Sequence, residues 1–146
     1  MAARIISPNQ YGFVHGKQIH HCIGVAYKAI NMFSKNVRGG NVAYKVDIYK
    51  ALDTLSWKFV LLVLTRFGFH SSFVSLISTI FRSAMLSIRI NDSMVSFFFP
   101  YSRGMREGDP LSPLLFCLAD EVLSRGIPTG YITPYHILYA DDIFVL

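Results

Sequence analysis

With 146 residues the chain has room for one ordinary domain; at 52% hydrophobic residues and a mean hydropathy of +0.38 it can bury a sizeable core and keep apolar surface for a partner. No apolar run approaches the ~18 residues of a membrane span, and Met1-Ala2-Ala3-Arg4-Ile5-Ile6-Ser7-Pro8 lacks the apolar centre of a secretory signal, so the expectation is an intracellular protein of nucleus or cytoplasm, without a membrane. The net charge of +5 is uneven: no acidic residue precedes Asp47, whereas Arg4, Lys17, Lys28, Lys35, Arg38 and Lys45 do, a pattern that suits phosphates and equally suits a solvated helix face.

Ser7 to Gly16 reads as a polar loop punctuated by glycine. Ile19, Ile23, Ala26, Tyr27, Ile30 and Phe33 recur at three- and four-residue steps, which predicts one apolar face of a helix. Arg38-Gly39-Gly40 would end it and turn the chain. Asn41 to Ile48 alternates, with Val42, Tyr44 and Val46 on one face and Lys45 and Asp47 on the other, as in a strand. Ser56 is the expected cap of a helix from Trp57 to Phe67, and Ser71 or Ser72 that of the next, running to about Ser83.

Leu86 to Ile90 and Met94 to Phe99, split by Asn91-Asp92-Ser93, read as a β-hairpin. Asp109-Pro110 has the form of a helix start, aspartate capping and proline first, with the helix stopping before Gly126. Ile137 to Ala140 is a short strand, Asp141-Asp142 its turn, and Ile143 to Leu146 the return. The order predicts an α+β fold, an antiparallel sheet flanked by helices. Cys22 and Cys117 lie far apart without zinc spacing and read as buried thiols.

The chain has nine acidic residues, and most fall in three short motifs: Asp47 with Asp53, Glu107 with Asp109, and Asp141 with Asp142. Adjacent carboxylates on a buried hairpin repel one another unless a cation joins them. Oxygen ligands suit magnesium or manganese rather than zinc. If the two strands pair, Asp47 and Asp141 can share two ions, the arrangement that clamps the attacking and leaving oxygens of phosphoryl transfer. A lone Asp-Asp is more often a solvated turn, but Leu138, Tyr139, Ala140, Ile143 and Val145 give this pair an apolar flank.

Three motifs in order resemble one family. Lys45-Val46-Asp47-Ile48-Tyr49-Lys50-Ala51-Leu52-Asp53 resembles the first catalytic motif of the reverse transcriptases of non-LTR retrotransposons, LINE-type and notably the plant ones. Arg103-Gly104-Met105-Arg106-Glu107-Gly108-Asp109-Pro110-Leu111-Ser112-Pro113-Leu114-Leu115-Phe116 resembles their second, and Tyr139-Ala140-Asp141-Asp142 their YADD box. Upstream, Pro8-Asn9-Gln10-Tyr11-Gly12-Phe13-Val14-His15-Gly16-Lys17 is similar to their fingers motif.

The resemblance implies a partial right-hand polymerase palm over 41–146 and a fragment of the fingers over 1–40. It implies RNA-directed DNA polymerase activity with two Mg²⁺ or Mn²⁺ ions, an RNA template, a DNA primer and dNTPs. Asp47 and Asp141 would be metal ligands, the Ile48 carbonyl a further ligand, and Asp142 a supporting carboxylate. Leu52, Arg106, Glu107, Gly108, Pro110, Ser112 and Lys17 would line the nucleotide and template. Thumb, connection, endonuclease and most of the fingers would lie outside this chain and would be its natural intramolecular partners. A truncated domain of this kind is expected to be inactive by itself.

The chain departs from the pattern in several places. Glu107 stands for glutamine and cannot donate hydrogen bonds as an amide does. Leu52 stands for an aromatic residue under the sugar. Lys17 stands for arginine and loses the bidentate fork. The link from Gly126 to Tyr139 is shorter than the family's. Two other readings therefore stand beside the enzyme: a non-catalytic nucleic-acid-binding remnant, and the product of a decayed reading frame.

Overall fold

The computed structural model describes residues 2–32, 42–106, 108–127 and 136–145. Helix α1 spans Ala2–Ile5 and helix α2 Ile19–Met32. The expected apolar stripe of α2 is exposed: Ile19, Ile23, Tyr27 and Ile30 face outward. Phe33, the turn at Arg38-Gly39-Gly40 and Asn41 fall outside the described residues. Strand β1 is Tyr44–Asp47 and lies at a sheet edge, every residue exposed. A short helix that no periodicity announces, α3 (Ala51–Thr54), follows Lys50, whose backbone is left-handed at φ 48°.

Helix α4 runs Trp57–Arg66 and α5 Ser71–Ser83. Ser56 sits at the start of α4, but its hydroxyl makes no capping bond. The cap of α5 is His70 rather than a serine, its side chain accepting the Ser72 N–H at 3.3 Å. Strands β2 (Met85–Ile90) and β3 (Ser93–Pro100) form the expected hairpin. Asn91 and Asp92 both have positive φ (47° and 61°), the signature of the two-residue turn that matches strand twist.

Helix α6 spans Ser112–Gly126 and begins later than Asp109-Pro110 suggests. The Asp109 carboxylate accepts the Leu111 N–H at 2.9 Å, and its carbonyl accepts the Ser112 N–H at 3.1 Å. Asp109 thus closes a turn ahead of the helix, and Pro113 rather than Pro110 occupies the first helical turn. Strands β4 (His136–Tyr139) and β5 (Asp142–Val145) meet at Ala140-Asp141, so the turn lies one residue earlier than expected and Asp142 belongs to a strand. The antiparallel sheet has the order β1-β5-β4. The mixture of helix and antiparallel sheet agrees with the expected fold class.

The core gathers Val60, Val63 and Leu64 of α4, Ile77 and Phe81 of α5, and Leu115, Leu118 and Ala119 of α6, with Met105 between them. Helix α6 is buried continuously from Leu115 to Glu121. It is covered by α4 on one side and by the N-terminal loop on another. That loop is sewn in by polar bonds: Ser7 N–H to Glu121 at 2.8 Å, the Gln10 amide to Asp120 at 3.0 Å, and the Cys117 thiol to the Gly12 carbonyl at 3.3 Å. It also joins the sheet, where Tyr11 N–H donates to the Leu138 carbonyl at 2.8 Å and Leu138 N–H to Asn9 at 3.0 Å. Cys117 is buried as expected, whereas Cys22 is only half-buried. Among the described residues no helix is long and apolar enough to cross a membrane.

Candidate active site

Alternate residues of a strand share a face, so Lys45 and Asp47 of β1 project together. The register sets Asp47 opposite Asp142 of β5, and Lys45 opposite Phe144. One further bond, Ile48 N–H to the Asp141 carbonyl at 3.0 Å, carries the ladder past Asp47 to the turn. Two strands far apart in sequence thus bring Asp47, Ile48, Asp141 and Asp142 to one end of the sheet. Ala140 makes the turn possible by adopting φ 54°.

The Lys45 ammonium lies 2.8 Å from the Asp142 carboxylate. The hydrogen bond to Asp142 raises the Lys45 pKa above its ordinary value, with the charges of Asp142, Asp47 and Asp141 adding to it. All three carboxylates therefore act on one small volume of space. With Asp142 paired to lysine, Asp47 and Asp141 remain exposed.

Among the described residues no three His, Cys, Asp or Glu side chains converge as a ready metal cage. The donor set still fits a hard cation. Magnesium is usually held by one or two carboxylates with substrate phosphates completing the shell, rather than by an all-protein cage. Asp47, Asp141 and the Ile48 carbonyl are oxygen donors of that kind.

A cavity of about 200 Å³ opens beside the turn, lined by Asp141, Ala140, Lys50, Leu52, Phe13 and Phe116 among others. Leu52 and Asp141 are therefore brought together, as the motifs suggest. The second motif is fastened to the first by backbone: Gly104 N–H donates to Leu55 and Met105 N–H to Leu52, both at 2.8 Å. The Trp57 indole donates to the Gly104 carbonyl at 2.7 Å. A Cβ at Gly104 would lie 2.4 Å from the Asp53 carbonyl oxygen, and φ is 85° there, so only glycine fits.

Arg106, Asp109 and Ser112 line a separate, narrow crevice beneath Trp57, Phe81 and Tyr101. Gly108 and Pro110 are exposed near it, and Glu107 lies outside the described residues. Lys17 is not brought to the carboxylates. Its ammonium donates to the carbonyls of Ser7, Pro8 and Gln10 at 3.3, 2.6 and 2.6 Å, and it lies 4.9 Å from the Tyr11 ring centre. All three of its donors thus hold the N-terminal loop in shape.

Two contributors escaped the sequence reading. Lys45 carried a usable signal, since alternation sets it on the face of Asp47. Phe13 carried none, because its place on the cavity depends on a loop packed across the sheet.

Comparison with known proteins agrees with the motifs. The family described as reverse transcriptase (RNA-dependent DNA polymerase) matches residues 1–146. The chain is 29% identical over 142 residues to the Retrovirus-related Pol polyprotein from retrotransposable element R2DM of Drosophila melanogaster, covering 93% of this chain and 13% of the relative. It is 32% identical over 108 residues to the R2 polyprotein of Nasonia vitripennis, covering 69% of this chain and 10% of the relative. It is 27% identical over 154 residues to the Transposon TX1 149 kDa protein of Xenopus laevis, covering 99% of this chain and 12% of the relative.

The chain belongs to the reverse transcriptase family. The three relatives named are proteins of R2 and TX1 non-LTR retrotransposons, and the chain spans between 10% and 13% of their length.

Proposed function

We propose that the chain carries the palm portion, with a piece of the fingers, of an RNA-directed DNA polymerase that joins deoxynucleotides to a DNA primer on an RNA template. In this reading Asp47, Asp141 and the Ile48 carbonyl hold two Mg²⁺ or Mn²⁺ ions. The ions would supply charge neutralisation at the attacking and leaving oxygens. Asp142 orders the site through Lys45. Leu52 and Lys50 face the incoming nucleotide, and Arg106, Glu107, Gly108, Pro110 and Ser112 the nucleotide or template. Lys17 contributes by shaping the loop that packs beside them.

The observation that carries this reading is the β1–β5 pairing with Asp47 opposite Asp142. No local motif requires it, and it assembles the carboxylates from distant parts of the chain. The polymerase activity belongs to the longer polypeptide, to which the remaining fingers and the thumb contribute surfaces for primer and template. The isolated chain is expected to bind metal and not to extend a primer.

The test is Mn²⁺ binding to the chain, read from the paramagnetic resonance of the free ion, alongside primer extension by a polypeptide that includes the flanking regions. Asp141→Asn and Asp47→Asn should each weaken Mn²⁺ binding at least ~10-fold, as expected when one of few charged ligands is lost. Asp141→Asn should abolish extension; extension that survives it would overturn the reading. A second reading, nucleic-acid binding without catalysis, draws on the exposed His20, His21 and Lys28 of α2. Salt-dependent RNA binding without Mn²⁺ binding would favour it.

A further inference from the structure

A lysine at the surface ordinarily lays its stem on the protein and keeps its ammonium in water. Lys17 does not. Its three N–H donors are taken up inside its own loop, by the carbonyls of Pro8 and Gln10 at 2.6 Å each and of Ser7 at 3.3 Å. The Tyr11 ring stands over the same ammonium, its centre 4.9 Å away. Removal of water pulls the Lys17 pKa below its ordinary value, and the charge of Glu121 acts against that. Three carbonyl oxygens aimed at one point repel one another unless a cation lies between them, which is how rings of carbonyls stand in for the water around a monovalent ion. The loop thus builds a cation site and fills it with its own side chain.

The same loop braces the turn that carries Asp141. Gln10 gives a carbonyl to the cage, and the next residue, Tyr11, donates its N–H to the Leu138 carbonyl at 2.8 Å. Gly12 follows, so close to the β4–β5 turn that a Cβ on it would come within 2.3 Å of the Ala140 nitrogen. Its carbonyl accepts the Cys117 thiol at 3.3 Å, which ties the loop to α6 as well. Ala140 holds a left-handed φ of 54° and passes directly into Asp141. From the cage to the carboxylate the path runs through main chain at every step: Gln10, Tyr11, Gly12, Ala140, Asp141. Close-packed main chain transmits a displacement that a flexible side chain would absorb.

We propose that Lys17 is a positioning residue for the metal site: its ammonium occupies a three-carbonyl cation cage in the N-terminal loop and, through that loop, fixes the turn that presents Asp141. The inference rests on the metal-site reading given above and adds what holds one of its ligands in place. The resemblance sets Lys17 beside nucleotide or template, but all its donors are committed to carbonyls, so none is left for a phosphate. Without the ammonium the three carbonyls turn to water, the loop loses its shape, and Gly12 ceases to press on Ala140. Asp141 then offers the ion a less ordered carboxylate. Partners beyond the ligands themselves govern metal affinity in this way.

The test begins with the wild-type chain. Its Lys17 ammonium protons should exchange with water slowly enough to be seen by NMR, unlike those of the exposed Lys28 and Lys58; exchange as fast as theirs overturns the cage. Mn²⁺ binding is then read from the paramagnetic resonance of the free ion. Lys17→Ala should weaken it by about 10-fold, the lower end of what losing an orienting partner costs. Ammonium chloride, which returns the missing group, should restore it. Tetramethylammonium chloride at the same ionic strength has no proton to donate and should not, and the wild type should respond alike to both salts. Lys17→Gln keeps two donors without the charge and should fall between; it carries the comparison if Lys17→Ala does not fold. A folded variant with unchanged Mn²⁺ affinity, or equal restoration by both salts, overturns the proposal and leaves the metal site standing. Failure of the wild-type chain to bind Mn²⁺ overturns the metal-site reading and this proposal with it.

Discussion

Gly12 shows how much of the site depends on a residue with no chemistry of its own. Its Cα is packed against the backbone of Tyr139 and Ala140, and the first atom that a Cβ would meet is a main-chain nitrogen, at 2.3 Å. A flexible side chain could swing aside, but a β-turn backbone cannot. Gly12→Ala should therefore destabilise the fold by about 3 kcal/mol, the upper range for overpacking, measured by urea unfolding. The same substitution should weaken Mn²⁺ binding by shifting the Asp141 turn. A Gly12→Ala protein with unchanged unfolding midpoint and metal affinity would show that loop and turn are not in contact.

At the scale of elements, the polar seam between the N-terminal loop, α6 and β4 makes the fold sensitive to pH in two directions. Burial pushes the Asp120 carboxyl up to about 6, while the Gln10 bond opposes the shift and Glu121 adds to it. Asp120 is neutral in both folded and unfolded chains below about pH 4. As pH rises from there through 6 the unfolded chain ionises freely, whereas the folded state must leave a carboxylate charge in a buried place. Stability falls across that window by about 3 kcal/mol for a shift of some two units. His136 is shifted downward, first by burial. Its contribution is present above its ordinary value near 6.5 and is lost as pH falls through the lower folded value.

The two slopes oppose each other: Asp120 favours the fold on the acid side of this window and His136 on the alkaline side. Asp120→Asn should remove the fall between about pH 4 and 6. It should stabilise by roughly 2 kcal/mol at pH 8 and not at pH 4, since it removes the charge and offers an N–H to the unpartnered Gln10 Oε1. Urea midpoints at the two pH values decide this; an equal change at both would refute the titration account.

Elements whose pattern is local were legible in the sequence, and those fixed by distant contacts were not. The β2–β3 hairpin declares itself through Asn91-Asp92, and α2 through apolar residues at steps of three and four. Helix α3 has four residues, too few for a period. Asp109-Pro110 reads as a helix start because the same side-chain bond closes a turn and caps a helix. The carboxylates of the site could be picked out as motifs, but the Lys45–Asp142 pair needs the β1–β5 register, which no segment of the chain contains by itself.

At the scale of the whole molecule, apolar faces stand exposed among the described residues. Ile23 and Tyr27 of α2 are 59% and 66% exposed, and Tyr44 of β1 is 63% exposed. Faces of this kind mark places where other protein packs. Ile23→Lys with Tyr27→Lys should leave the thermal midpoint of the chain within a few degrees, because neither side chain is buried. A large loss of midpoint would show that this face is covered within the chain.

The pairing of β1 with β5 has a consequence in time as well as in space. A chain emerging from the ribosome presents Asp47 long before Asp141, and domains complete their long-range pairings only once both partners are available. During that interval the first strand is an unpaired edge. The carboxylates of Asp47 and Asp142 therefore come together only after β5 has been made.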